Sequence, residues 1–176
     1  MKISDQLVQL FMEEEWDKTP LSRESFPVNM RLYRVSSNYR EIILALVRYM
    51  DEHLRTTFED YPEPRGVAAA NLGFPFKIIG YKKKPCENQF CLNPKITHRS
   101  VTMMSGQTNC GSLRLEQPLS IERHLTIDFE YYDLEGNLVM CKNVARGEGG
   151  FTVQNAIDSC NGLTIMGRYE KDKKKK

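Results

Sequence analysis

A short apolar segment near the end of the chain, at residues 151–163, constrains the fold more than any other stretch. It follows a glycine-rich break at 147–150, and Gly162 provides the residue type that commonly ends a helix. Its apolar positions are Phe151, Ala156, Ile157 and Leu163. This pattern predicts a short helix buried inside the domain, so the rest of the chain has to supply the layers that cover it.

The middle of the chain predicts an antiparallel sheet. Residues 124–132 alternate in polarity, which places four apolar side chains on one face of a strand. Residues 135–137 carry a turn signal, and 138–144 return as the second strand of a hairpin. The four inward side chains are those of Leu125, Ile127, Phe129 and Tyr131. Further strands are predicted at 76–81, 90–93 and 95–103.

Two helices are predicted before the sheet. One covers residues 4–16, and the other begins near Asn38, which forms a capping box with Glu41. Residues 18–35 between them contain two prolines and are predicted to be an irregular connector. The second helix has a core-facing stripe at Ile42, Leu46, Met50 and Leu54. Helices on either side of an antiparallel sheet predict an α+β fold.

Length and composition bound the class of protein. With 176 residues, of which 40% are apolar and 27% charged, the chain is expected to form one globular domain over 1–176. It contains no apolar run of membrane-spanning length and no secretory signal, so we expect no membrane contact and a cytoplasmic location. Five irregularly spaced cysteines predict neither a disulfide framework nor a structural zinc site.

The charge distribution separates a basic end from the body. The net charge is +2, of which the Lys-rich tail at 168–176 carries +4, so residues 1–167 carry −2. The body is therefore not a basic surface of the kind that binds nucleic acid. We expect the tail to be solvated; a weak electrostatic contact with the ribosome or RNA is the alternative. Its terminal lysines are Lys173, Lys174, Lys175 and Lys176.

Residues 154–162 resemble the metal-binding helix of peptide deformylases, Gln-His-Glu-x-Asp-His-x-x-Gly. Asn155 and Ser159 stand at the positions of the two histidines, and Ala156 stands at the position of the glutamate. The positions that look like the family are Gln154, Ile157, Asp158, Asn161 and Gly162. The segment therefore keeps the frame of the motif without its ligands.

Two further stretches resemble the same family in the same order. Residues 66–71 resemble Gly-x-Ala-Ala-x-Gln, with Asn71 in place of the glutamine that helps bind the formyl oxygen in the family. Residues 110–114 resemble Glu-Gly-Cys-Leu-Ser, whose cysteine is the third metal ligand. Ser112 stands at that cysteine, while Gly111 and Leu113 match. The resemblance covers roughly residues 36–168 and implies a peptide-deformylase-like fold, with antiparallel sheets around the buried helix at 151–163.

The resemblance also implies what the site has lost. The family uses a divalent iron or zinc ion to activate water, and a glutamate to move protons. Here the ligand positions hold the neutral side chains of Ser112, Asn155 and Ser159, and Ala156 has no titratable group. We therefore expect no metal cofactor and no catalytic residue. We also expect Asn155 and Ser159 to hydrogen-bond each other, Ser112 or water.

A metal-free pocket is compatible with binding. The resemblance implies that a peptide N-terminus or nascent chain binds along five residues whose contribution does not depend on the metal. They are Gly66, Val67, Asn71, Gly111 and Leu113. The leading hypothesis is an inactive peptide-deformylase-like protein that retains this binding in a role linked to translation.

Two other hypotheses stay open. One is an active hydrolase of N-formylmethionyl peptides with a rebuilt site. That site would use a metal relocated to Cys110, Asp158 and Cys160, or a serine nucleophile at Ser112 or Ser159 with His124 as its base. The other is a purely structural or interaction scaffold that binds through the N-terminal helix or the lysine tail.

Overall fold

The computed structural model describes residues 23–57, 66–84, 87–108 and 119–173. Several sequence-based predictions lie outside these residues. They concern the helix at 4–16, the stretch containing Cys110, Gly111, Ser112 and Leu113, and the lysines at 174–176. Within the described residues, no helix is both long and apolar enough to cross a membrane.

Four helices and seven strands make up the described structure. The helices are α1 (Met30–Val35), α2 (Ser37–Thr57), α3 (Gly150–Cys160) and α4 (Ile165–Lys173). The strands are β1 (Gly66–Ala68), β2 (Ile78–Lys84), β3 (Glu87–Arg99), β4 (Met103–Thr108), β5 (Leu119–His124), β6 (Thr126–Tyr132) and β7 (Leu138–Ala145). Short 3-10 turns occupy Ala69–Leu72 and Arg146–Glu148.

The strands form two antiparallel sheets, which confirms the predicted fold class. The larger sheet has five strands in the order β1-β2-β3-β6-β7, and the smaller one pairs β4 with β5. The predicted hairpin of β6 and β7 is present, with Tyr132 opposite Leu138. Since the larger sheet ends at β1 and β7, each of these strands has one edge without a strand partner in the described part of the chain.

Helix α2 covers one face of the larger sheet. Its apolar stripe is buried as predicted, although Ile43 rather than Ile42 is fully buried. The stripe packs on side chains from β2 and β3, including Ile78, Phe90 and Leu92. Burying a side chain of this size stabilises a fold by about 1.5–3 kcal/mol, so this layer anchors the sheet on which β1 lies.

Helix α3 packs on the opposite face of the same sheet, as the apolar segment at 151–163 predicts. Val153, Ile157 and Cys160 lie in one cluster with side chains from the strands. The strand side of that cluster includes Ala68, Ile79, Cys91, Ile127 and Phe129. The helix ends at Cys160, before Gly162, which has a left-handed φ of 71°. The larger sheet thus has a helix on each face.

A close approach at Gly150 lets α3 begin immediately after β7. A Cβ atom at Gly150 would lie 2.5 Å from the carbonyl oxygen of Val144 and 2.8 Å from that of Ala145. Both neighbours are backbone atoms, so they cannot move aside as a flexible side chain would. The sequence signal of consecutive glycines therefore reflects a lack of space for a side chain.

We expect Gly150→Ala to lower the free energy of unfolding by about 1–3 kcal/mol, because overpacking against backbone forces the helix to shift. The measurement is urea denaturation followed by circular dichroism. Gly147→Ala is the matched control, since nothing lies within 4 Å of a Cβ built at Gly147. Equal stabilities of the two variants would contradict the steric explanation.

Residues 30–35 correct the prediction of an irregular connector. They form α1, a short helix capped by Asn29, whose side chain accepts a hydrogen bond from the Leu32 amide at 3.1 Å. Tyr33 is buried within it, and its hydroxyl donates to the Leu134 carbonyl at 2.8 Å. This contact spans 101 residues of sequence. The helix thus depends on a distant part of the chain that local patterns do not report.

The strand predicted at 90–93 is only part of β3, which runs from 87 to 99. The two predicted strands at 90–93 and from 95 onward are one strand, and a register shift between Leu92 and Lys95 accommodates Asn93 and Pro94. Asn93 has a φ of 52°, and its side-chain amide contacts the backbone of Val28 twice. It accepts from the Val28 amide at 2.7 Å and donates to the Val28 carbonyl at 2.8 Å. We call this pair of bonds the Asn93 latch.

Two further elements differ from the sequence-based expectation. Strand β5 was not predicted, and Met103, expected to continue the main sheet, belongs to β4 in the smaller one. The predicted solvated tail begins instead within α4, where Asp172 is buried. Its high charge indicated solvent exposure, whereas several of these charges are bonded to the body of the domain.

Candidate functional site

Helix α3 is held against β5 by the buried side chain of Gln154. Its Oε1 accepts a hydrogen bond from the His124 amide at 3.1 Å, and its Nε2 donates to the His124 carbonyl at 2.9 Å. One amide group therefore satisfies both backbone groups of a single strand residue. This fixes the position of the next helical residue, Asn155, relative to β5.

Arg123 on β5 points at the helix and is almost fully buried, with 3% of its surface exposed. Its Nε donates to Asn155 Oδ1 at 2.8 Å, and one terminal nitrogen donates to the same oxygen. Its other terminal nitrogen donates to Asp158 Oδ2 at 2.6 Å. The guanidinium thus donates hydrogen bonds to the side-chain oxygen of Asn155 and forms an ion pair with the carboxylate of Asp158.

Asp158 is shared by a second arginine, Arg168 from α4. The Arg168 Nε lies 3.1 Å from Asp158 Oδ2, and its terminal nitrogen lies 2.8 Å from both carboxylate oxygens. One turn further along α4, Asp172 accepts a hydrogen bond from the Glu122 amide at 3.1 Å. These charged side chains, of which Arg123 and Asp172 are buried, therefore join α3, β5 and α4.

The charges of this network balance. Two arginines and two aspartates contribute equal numbers of opposite charges, which limits the cost of burying them. Burial lowers the pKa of the Arg123 guanidinium, while Asp158 beside it opposes that shift and Arg168 adds to it. We refer to Arg123, Asp158, Arg168 and Asp172 as the charged network.

Ser159 lies one helical turn after Asn155, so the two side chains share a face of α3. Its hydroxyl donates to the backbone carbonyl of Asn155 at 3.2 Å. The expectation that the side chains of Asn155 and Ser159 bond each other is therefore wrong, because Arg123 takes the Asn155 oxygen. Ala156, on the adjacent face, is buried.

The first turn of α3 lies between the two sheets. A Cβ at Gly66 of β1 would collide with the side chain of Thr152, and one at Gly106 of β4 would lie 3.1 Å from the ring of Phe151. β1 and β4 therefore both contact this turn. Val67 on β1 is buried, while its strand keeps one edge without a strand partner among the described residues.

Asn71, in the 3-10 turn after β1, uses its side chain locally. Its Oδ1 accepts a hydrogen bond from the Ala68 amide at 3.0 Å, which closes the turn. This oxygen is therefore committed to the backbone of its own loop. The structure places Gly66, Val67 and Asn71 together around β1, whereas Gly111 and Leu113 lie outside the described residues.

Comparison with known proteins bears directly on this arrangement. The sequence profile of the polypeptide deformylase family matches residues 17–175. The chain belongs to this family. Its relatives include peptide deformylases from two strains of Streptococcus thermophilus, LMD-9 and CNRZ 1066, each 29% identical over 122 residues. Each match covers 61% of this chain and 59% of the relative, so the chain spans about three-fifths of these relatives.

Solved structures of deformylases share the fold. A class I type b peptide deformylase from Acinetobacter baumannii, bound to Met-Ala-Ser, is 21% identical with a TM-score of 0.71, over 86% of this chain and 92% of that one. A probable peptide deformylase from Synechococcus phage S-SSM7 is 20% identical with a TM-score of 0.71, over 87% and 95%. At such identities the likeness establishes the fold alone.

The residues on the site face of α3 do not fit the divalent iron or zinc that peptide deformylases use. Asn155 and Ser159 offer neutral oxygens, which are weak ligands for these metals, and the Asn155 oxygen already accepts from Arg123. In the part of the chain that the structure describes, no three His, Cys, Asp or Glu side chains cluster closely enough to hold a metal ion. Ser112, the third predicted position, lies outside that part.

Two of the residues considered for a rebuilt deformylase site point elsewhere. Cys160 is buried with its thiol 3.8 Å from the Ile78 carbonyl, and burial raises its pKa to about 12. It faces the larger sheet and not Ser159. The His124 imidazole lies with Nδ1 2.8 Å from the Ser100 carbonyl. Within the described residues, Ser159 therefore has a backbone oxygen as its partner and no imidazole base.

Sequence reasoning missed the two arginines of the charged network. The signal for Arg123 is weak: it shares the inward face of β5 with Ile121, and both are buried. The signal for Arg168 is its spacing of four residues from Asp172, which places both on one face of a helix. Neither pattern reveals that both arginines meet Asp158.

Proposed function

We propose that this member of the peptide deformylase family binds the N-terminus of a peptide or nascent chain and does not hydrolyse its formyl group by the family's metal mechanism. The observation that carries the proposal is the contact between Arg123 and Asn155. Asn155, which stands at a metal-ligand position of the family, accepts a hydrogen bond there from the buried Arg123 guanidinium. The Asn155 oxygen accepts two hydrogen bonds from this guanidinium, so it is not available to a metal ion.

The chemistry of formamide hydrolysis supports the same conclusion. The reaction needs a metal-activated water and a group that carries a proton to the leaving amine. Ala156 supplies no such group, and Asp158 is bonded to two arginines, so its carboxylate is not free to act in its place. On these grounds we propose no catalytic residue and no metal cofactor for this chain.

Binding, in contrast, draws on features that need no metal. An extended peptide can add a strand to the edge of β1, where backbone hydrogen bonds provide affinity and side-chain pockets provide specificity. Gly66 and Val67 lie on that strand, next to α3. We call the surface beside β1 and the first turn of α3 the groove, and we propose that Gly111 and Leu113, which lie outside the described residues, also contact the peptide. Asn71 contributes by holding the turn that follows β1.

The family match favours a second candidate, an active hydrolase of N-formylmethionyl peptides with a rebuilt site. The proteins that this chain resembles are named peptide deformylases, and taken alone that likeness favours activity over inactivity. The remaining route to activity runs through residues 109–118, which include Cys110 and Ser112. It would use a relocated metal or a serine nucleophile.

A third role, as a scaffold, concerns the C-terminal lysines. We propose that the protein is cytoplasmic. As the alternative to peptide binding in the groove, we propose a weak electrostatic contact of residues 173–176 with the ribosome or RNA. In α4, Arg168 and Asp172 are bonded to the domain, whereas Lys173 is exposed. Only the terminal lysines would then serve a partner.

The experiment that separates these candidates measures metal content, turnover and binding on one purified sample. We expect metal well below one ion per chain, no release of formate from a formyl-methionyl peptide, and saturable binding of that peptide by fluorescence anisotropy. Turnover that a chelator abolishes would establish the relocated metal. Turnover that survives chelation and is lost in Ser112→Ala would establish the serine nucleophile. Absence of peptide binding would leave the scaffold role.

A further inference from the structure

Arg146 lies beside β4 and the first turn of α3. It begins the 3-10 turn between β7 and α3, and its side chain is exposed. A Cβ built at Gly106 of β4 would lie 4.0 Å from a terminal nitrogen of Arg146. The guanidinium therefore lies beside β4, next to the turn of α3 that β1 also contacts, and we call this position the rim of the groove.

Two neighbours hold this guanidinium in place. Its central carbon lies 5.3 Å from the centroid of the Phe151 ring, a cation–π arrangement, and a terminal nitrogen lies 3.9 Å from the sulfur of Met104. Neither contact neutralises the charge. The positive charge is thus positioned by packing and stays available to a ligand.

No carboxylate pairs with Arg146 among the described residues. The nearest acid in sequence, Glu148, turns back so that its Oε2 accepts a hydrogen bond from the Ala145 amide at 3.2 Å. This contrasts with Arg123 and Arg168, which are both bonded to Asp158. Of these three arginines, the one at the groove rim is the one without a carboxylate partner.

The spacing along α3 relates this charge to the N-terminus of a bound peptide. Phe151 lies one turn before Asn155, so the two side chains share a face of the helix and are separated by about 6 Å along its axis. An extended peptide covers that distance in about two residues. A peptide whose first residue lies over Asn155, and whose chain runs along α3 towards the start of the helix, would bring its second or third residue to Phe151 and Arg146.

We propose that Arg146 selects peptides that carry an acidic side chain at the second or third residue. This inference rests on the proposed function, because it requires a peptide N-terminus in the groove beside α3. Arg146 acts as a specificity residue at the rim, attracting a carboxylate and repelling a lysine at the same position. Phe151 acts as a positioning residue, because its ring holds the guanidinium.

The test uses three formyl-methionyl peptides of equal length, amidated at the C-terminus, with Asp, Ser or Lys at the third residue. A second set carries the same change at the second residue. Binding is measured by fluorescence anisotropy at low and high salt. In at least one set we expect the Asp peptide to bind about three- to tenfold more tightly than the Lys peptide at low salt, the size expected for a partly exposed charge pair. The difference should shrink at high salt.

Arg146→Glu is expected to reverse the order, so that the Lys peptide binds more tightly than the Asp peptide. Phe151→Leu keeps an apolar residue but removes the ring, and it should reduce the preference while Arg146 is retained. Arg48→Glu is the matched control, because Arg48 is an exposed arginine on α2, across the larger sheet. It changes the net charge equally and should leave the order unchanged.

The outcomes distinguish a failure of the role inferred for Arg146 from a failure of the proposed function. Binding of all peptides with equal affinity in both sets would overturn the selectivity of Arg146 and leave the proposed function standing. An order that is unchanged in Arg146→Glu, or changed equally in Arg48→Glu, would overturn it as well. If none of the peptides bound, the proposed function would fail and the inference with it.

Discussion

Replacing Arg123 with methionine is expected to lower the free energy of unfolding by about 3 kcal/mol. Removing one partner of a buried ion pair leaves an uncompensated charge, which typically costs about 3–5 kcal/mol. The lower end applies because Asp158 keeps its bonds to Arg168. Asn155 Oδ1 also loses both of its hydrogen bonds from the guanidinium, a smaller loss because this side chain is only half-buried and water can replace the donor.

The measurement is urea denaturation of the wild type and the variant, with Arg48→Met as the control at an exposed arginine. The control should change stability by less than about 0.5 kcal/mol, as is usual for surface substitutions. The double variant Arg123→Met, Asp158→Asn should lose less than the sum of the two single losses, because each single variant already loses the contact between Arg123 and Asp158. Additive losses would mean that Arg123 and Asp158 are not coupled as their 2.6 Å contact indicates.

Restoring the family's site residues is expected to create metal binding. The variant combines Ser112→Cys, Asn155→His, Ala156→Glu and Ser159→His. Histidines at 155 and 159 are one turn apart on α3 and project from one face, so with a thiolate they provide the three ligands of an open metal site. We expect about one zinc or ferrous ion per chain and measurable release of formate from a formyl-methionyl peptide.

The matched control keeps the three ligands but retains Ala156. It should bind the same amount of metal and turn over about 10²–10⁴-fold more slowly, the usual contribution of a general acid–base. Metal is measured by elemental analysis and formate by a coupled assay. A folded variant that binds no metal would show that residue 112 does not converge with the face of α3. The resemblance of 110–114 to the family's motif would then be wrong.

The sequence predicts those elements whose signals are local. The hairpin of β6 and β7 follows from alternation and a turn at 135–137, and α3 follows from its apolar positions between glycines. The stripe of α2 also follows from spacing alone. These features depend on neighbours within a few residues, which is where propensity and periodicity carry information.

The remainder depends on contacts that no local pattern encodes. No strand is predicted from the sequence at Arg123, and its burial follows only from meeting Asp158, 35 residues later. Helix α1 is short and is anchored through Tyr33 to residue 134. The run of charges from 168 onward indicates a solvated tail by composition, until Arg168 and Asp172 are seen bonded to the domain.

The candidate site divides in the same way. The positions of Asn155, Ala156 and Ser159 on one helix could be predicted from the motif frame, because helical geometry fixes their relation. The hydrogen-bond donor to the Asn155 side-chain oxygen could not be predicted, since the guanidinium comes from a strand elsewhere in the sequence. The role proposed for Arg146 could not be predicted from the sequence either, because it depends on contacts of the guanidinium with Phe151 and Met104.

The Asn93 latch has a consequence for the chemical ageing of the protein. Asparagine usually deamidates when the following backbone nitrogen attacks its side chain to form a succinimide, which needs an N–H group. Here the following residue is Pro94, which has none. The amide that holds both backbone groups of Val28 is thereby shielded from conversion to a carboxylate, which could not donate to the Val28 carbonyl. The hydrogen bonds between Asn93 and Val28 connect positions 65 residues apart, and the ring of Pro94 protects them from slow deamidation.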